Sequence, residues 1–110
     1  MENVNISHNK IVGELDEVLG QLTKSQREKI ISGYDIKSLA KIFEDGELMR
    51  TVDAFLLNGM NVAGTARKLY MHRNTLMYKL NAIKNKTGLD LHDFGNDVTF
   101  SILRALYRMK

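Results

Sequence analysis

Between Ala54 and Leu89 the chain carries six basic residues, Arg67, Lys68, Arg73, Lys79, Lys84 and Lys86, and no Asp or Glu. The remainder of its 110 residues holds ten basic against thirteen acidic side chains, so a net charge of only +3 hides a strongly basic segment. Ammonium and guanidinium groups gathered without acids suit a polyanion. Asn74, Asn81 and Asn85 lie in the same stretch. A carboxamide offers a donor and an acceptor side by side and pairs with adenine, as a guanidinium pairs with guanine. The chemistry on offer is recognition of bases and phosphates, not the making of bonds.

Signatures of catalysis are weak by comparison. The chain has no Cys, which excludes thiolate metal sites, disulfides and cysteine nucleophiles. Gly59 and Gly64 have the spacing of a phosphate-binding loop, but Thr65-Ala66 follow where Lys-Ser or Lys-Thr is required. His8, His72 and His92 are scattered, and His92-Asp93 alone is a poor zinc or acid–base pair. No enzyme activity, metal or other cofactor is expected. His72 is expected to order a turn or meet a phosphate. The acids Glu44, Asp45 and Glu47 are expected at helix ends, where they favour the dipole.

The elements that position the basic segment follow from apolar spacing. The chain lacks Pro and Trp, and 44% of it is hydrophobic, which suits an all-α helical bundle of one domain. Apolar residues at helical intervals predict a first helix over Ser7–Leu22, a short one over about 26–31 and another over about 36–43 capped by Asp35. Asp45 caps a helix that buries Leu48, Val52, Phe55 and Leu56 and stops at Asn58-Gly59. Asn61 caps a short helix with Val62, Ala66 and Leu69 inward. A longer helix runs over about 73–87 on Leu76, Leu80 and Ile83 and ends at Gly88. The last helix is expected from Asp97 to Met109 on Val98, Ile102, Ala105, Leu106 and Met109, as core packing.

Three helices at about 46–58, 61–69 and 73–87, joined by short turns, have the layout of a helix-turn-helix. Opposite the buried face of 73–87 lie Asn74, Tyr78, Asn81 and Asn85, with Arg73 and Met77 on one flank and Thr75 and Ala82 on the other. Arg73, Asn74, Met77 and Tyr78 are the expected base-reading residues. Asn61, Thr65, Thr75, Lys79 and Lys84 are placed for phosphates. Two other readings stand beside double-stranded DNA: a module docking a protein partner through Met77 and Tyr78, and an RNA binder.

The segment Asn61–Leu80, with His72-Arg73-Asn74-Thr75-Leu76 at its centre, followed by Ile83 and Thr87-Gly88-Leu89-Asp90-Leu91, resembles the C-terminal helix-turn-helix of the PucR type. That family comprises bacterial regulators of purine catabolism and sugar-diacid use, and the related Fis-type fold uses its last helix similarly. The resemblance covers roughly Glu47 to Leu106 and implies a cytoplasmic, sequence-specific transcriptional regulator. It departs from the family at Met77, where Arg is common, and in lacking the long N-terminal sensory region. The chain is thus expected to be either a small stand-alone regulator or part of a larger one, with no effector carried over. Residues 1–45 form a helical extension and 46–110 the DNA-binding domain. A homodimer is expected, because one such module makes few contacts. The face from Ile11 to Leu22 is left open to dimer contacts or to packing within the chain. No apolar run approaches the length of roughly 18 residues needed to cross a membrane.

Overall fold

The computed structural model describes residues 14–109, which are all-α, with no strand among them. Helical residues 14–20 (α1) are followed by α2 (Lys24–Ile31), α3 (Ile36–Glu44), α4 (Gly46–Leu57), α5 (Val62–Lys68), α6 (Arg73–Thr87) and α7 (Phe94–Arg108). Ser7, His8, Ile11 and Val12 lie outside the described residues.

Each start from α2 onward has a side chain that accepts from an otherwise orphaned N–H. Thr23 and Gln26 form a reciprocal capping box. Asp35 accepts from Ser38 at 3.2 Å, Asp45 from Leu48 at 3.0 Å and Asp93 from Gly95 at 3.1 Å. Asp45 closes α3 as well as opening α4, so these two helices meet at a single residue.

The main core gathers Leu39 and Ile42 of α3, Met49, Val52, Phe55 and Leu56 of α4, Ala66 of α5, Leu76, Leu80 and Ile83 of α6, Leu89 and Leu91 beyond it, and Phe100 and Leu103 of α7. The boundary drawn after residue 45 thus marks a turn between two helices of one core. A second, smaller cluster joins Leu19 to Ala105 and Leu106, with Leu15, Leu22, Ile31, Ile102 and Met109 packed against it. The described part of the first predicted face is therefore used within the chain, while Val18 is exposed.

The C-terminal helix corrects the sequence reading. It begins at Phe94, capped by Asp93, and not at Asp97. Gly95 and Asn96 are poor helix formers and disguise its first turn. Its buried face is wider than the expected one, because the helix serves both clusters: Ile102, Ala105, Leu106 and Met109 lie in or against the smaller one as expected. Phe100 and Leu103 enter the main core and Phe100 stacks edge-on against Phe43 at 5.2 Å, whereas Val98 is 38% exposed. Arg104 clamps α7 to α4 through two hydrogen bonds to Asp53, at 2.6 and 3.1 Å. Tyr107 donates to Glu44.

Phe100→Ala is expected to cost about 3–5 kcal/mol of stability, as for a large aromatic removed from a closed core. Val98→Ala should cost about 0.5 kcal/mol or less. Urea unfolding of the two variants checks this, and equal losses would contradict the burial of Phe100 and the exposure of Val98.

Candidate nucleic-acid interface

The α4–α5 turn is built by backbone hydrogen bonds that wrap the end of α4. Gly59 donates to Leu56 O at 3.2 Å and Met60 to Phe55 O at 2.9 Å, the paired pattern that closes a helix on a left-handed residue. Gly59 supplies that conformation at φ +67°. Met60, at φ +61°, turns its side chain back onto the core. Asn61 then caps α5 by accepting from Gly64 N at 2.8 Å. Asn58 Nδ2 crosses from α4 to Thr65 Oγ1 at 3.3 Å. A Cβ at position 64 would stand 2.7 Å from that amide nitrogen, so the close approach is made over a glycine.

Thr65 must be withdrawn from the phosphate set. It is 0% exposed, and its hydroxyl donates to Asn61 O at 2.7 Å. A threonine bonded to the carbonyl four residues earlier needs no solvent. It takes an inward position between Val62 and Ala66, while Leu69 is only half-buried.

The α5–α6 turn repeats the same closure with a different residue. Tyr70 donates to Arg67 O at 3.2 Å and Met71 to Ala66 O at 2.9 Å, but the left-handed position is held by Tyr70 at φ +52°. Its ring is 98% exposed beside the start of α6. No sequence signal marks this residue, since a glycine is the usual token of such a turn. His72 Nδ1 accepts from Asn74 N at 3.0 Å and so orders the first turn of α6.

Along α6 the side chains of Leu76, Leu80 and Ile83 are sealed in the core. Arg73, Asn74, Thr75, Asn81, Lys84 and Asn85 are exposed, Tyr78 is 75% exposed, and Met77 and Lys79 are half-exposed. The four expected base-reading residues thus lie in the first two turns of α6, three of them exposed and Met77 half-exposed. Asn61 is exposed at the start of α5, and Arg67 and Lys68 are exposed at its end.

Two features of the charge distribution come from parts of the chain outside the basic segment. Asp45, Glu47 and Leu48 at the start of α4 line a shallow groove with Tyr78, Lys79 and Ala82, which brings acids to that side of α6. Lys84 Nζ lies 3.7 Å from Asp90 Oδ2. The Asp90 carboxyl is held below its ordinary value of 3.8, first by the backbone N–H of His92 at 3.0 Å, then by the His92 ring at 2.9 Å, with Lys84 adding to it. Because the folded value is depressed, the stability linked to this carboxylate is present above 3.8 and is lost as pH falls through the folded value. His92 also sets its ring edge-on to Phe55 at 5.3 Å. Among the described residues no group of three His, Cys, Asp or Glu could hold a metal, and no helix is long and apolar enough to cross a membrane.

The model of the PucR C-terminal helix-turn-helix domain matches residues 48–103, from α4 into α7. The carbohydrate diacid regulator of Escherichia coli is 44% identical over 50 residues, covering 46% of this chain and 13% of that protein. The proline-responsive transcriptional activator PutR of Bacillus subtilis is 40% identical over 48 residues, covering 44% of this chain and 12% of that protein. The purine catabolism regulatory protein of Bacillus subtilis is 37% identical over 59 residues, covering 53% of this chain and 11% of that protein. The matched stretch thus spans 11–13% of the length of these relatives.

Left-handed backbone at Tyr70 carries a steric cost that glycine does not incur, and the exposed ring returns no packing. Tyr70→Gly is expected to raise stability by about 1 kcal/mol or less, and Tyr70→Ala to leave it nearly unchanged. Urea midpoints at constant slope would show this order, and a destabilised glycine variant would contradict it.

Proposed function

We infer from the family to which this chain belongs, that of the PucR C-terminal helix-turn-helix domain, that it is a sequence-specific DNA-binding transcription regulator with α6 as its recognition helix. The observation that carries this is the outer face of α6. Arg73, Asn74, Tyr78, Asn81 and Asn85 stand exposed on a helix whose opposite face is locked into the core. Such a helix enters the major groove as a rigid body, its polar side chains meeting base edges.

Arg73, Asn74, Met77 and Tyr78 read bases in this proposal. Asn61, Thr75, Lys79 and Lys84 contact phosphates, with Lys84 exchanging Asp90 for a phosphate oxygen. The three relatives are named as a regulator, a transcriptional activator and a regulatory protein, which supports the same role here. They are named for different compounds, so the family supplies no effector. Two copies reading half-sites about 34 Å apart would double the contact set of one module. The N-terminal helix would supply the contact between copies, on the side where Val18 is exposed. The role needs no cofactor or catalytic step, and its place is the cytoplasm.

Tyr78 beside Met77 also suits a protein partner, and that reading takes precedence if no duplex binds. Fluorescence anisotropy with random-sequence duplex at two salt concentrations decides between them. Binding that weakens steeply with salt is the expected result. On the preferred duplex, Arg73→Ala and Asn74→Ala should each cost about 1–3 kcal/mol and relax specificity. Lys84→Ala should weaken all sequences alike and lower the salt slope by about one. Affinity unchanged in both Arg73→Ala and Asn74→Ala would remove them from the interface.

A further inference from the structure

Met77 is the one aliphatic side chain on the Arg73 flank of the proposed reading face that neither apolar cluster of the described residues includes. It is half-exposed, with Arg73 one turn before it and Asn81 one turn after it on the same stripe of α6. Its thioether is at most a weak acceptor and has no hydrogen to donate. At this position the face therefore presents an apolar, conformationally adaptable tip among amides and a guanidinium. The edges of the major groove are polar almost throughout. The exception is the C5 methyl group of thymine.

We propose that Met77 reads the methyl group of a thymine. The proposal rests on the DNA-binding reading above and deepens it. Removing that methyl from water against the Met77 side chain is favourable, whereas a cytosine at the same place presents only its C5–H there and forfeits the contact. Position along the groove follows from helix geometry. Four residues of α-helix rise about 6 Å, and stacked base pairs are about 3.4 Å apart. The thymine read by Met77 therefore lies within about two base pairs of the pair read by Arg73.

The test uses the intact chain and the duplex it selects from a random-sequence library. Each thymine is replaced in turn by deoxyuridine, which removes only the methyl group, and affinity is measured by anisotropy. One thymine per half-site, within about two base pairs of the pair whose identity depends on Arg73, is expected to lose about fourfold in affinity, the size of one buried methyl group. Met77→Ala should bind the thymine and deoxyuridine duplexes equally. Met77→Leu should keep the discrimination, and Met77→Arg should move the preference at that pair towards guanine. Indifference of the native chain to every deoxyuridine replacement overturns the proposal, as does a methyl effect that persists undiminished in Met77→Ala. A selection that enriches no sequence overturns the DNA-binding reading itself and this proposal with it, which is a different result from selective binding that ignores the methyl.

Discussion

The rotation of α6 about its own axis is the constraint on which the other features depend. Leu76, Leu80 and Ile83 stand at intervals of four and three residues and are each almost wholly removed from water. Burial of three aliphatic side chains contributes about 1.5–3 kcal/mol apiece. A slip of one residue would turn the helix by about 100° and bring Thr75 or Met77 inward while expelling a leucine. The outward display of Arg73, Asn74 and Tyr78 is thus a consequence of apolar packing, and no polar contact has to hold the helix in register. α3, α4 and α5 all lie against it, so the same stripe organises the rest of the core.

Rotation alone does not set the tilt of α6 relative to α5. That comes from the two turns, which share one backbone solution and differ in how easily the chain adopts it. In the first turn Gly59 takes the left-handed position without a Cβ, and Met60 after it, also left-handed, keeps its side chain against the core. At Tyr70 a side chain occupies the same conformation, and the structure around it must hold it there. The hydrogen bond from Met71 to Ala66 O, the cap from Asn74 N to His72 and the half-buried Met71 against the core together do so. The short α5 has little room to drift, since Asn58 and Asn61 bind it at Thr65 and Gly64.

Much of this was legible from residue spacing because the signals are local. His72 and Gly88 bracket α6 with a cap and a left-handed stop, and an uninterrupted apolar stripe lies between them. Where two demands met in one helix, the pattern misled. α7 packs Phe100 and Leu103 into one cluster and Ala105 and Leu106 into another, so no single stripe describes it. Thr65 looked polar and proved internal, since a hydroxyl can be satisfied by its own helix. The acids were expected at helix ends, but their place beside α6 was hidden for a different reason. Asp45 and Glu47 lie some thirty residues before Tyr78 and Lys79, and only the packing of α4 on α6 brings them together.

Those acids set two requirements against each other. At the start of α4 a carboxylate is favourable, because Asp45 satisfies the N–H of Leu48 and Glu47 lies in the positive first turn. Beside a bound polyanion the same charges are unfavourable, and at physiological salt they act over about 8 Å. Asp90 opposes the approach less, since His92 holds it through its backbone N–H and its ring even when Lys84 turns to a phosphate. On the proposed reading, Lys79 therefore meets its phosphate beside acids that weaken its pull, and the flank of Arg73 and Lys84 draws the backbone more strongly. Met77 lies on that flank. The helix cap that stabilises α4 thereby also biases which edge of α6 leans into the groove.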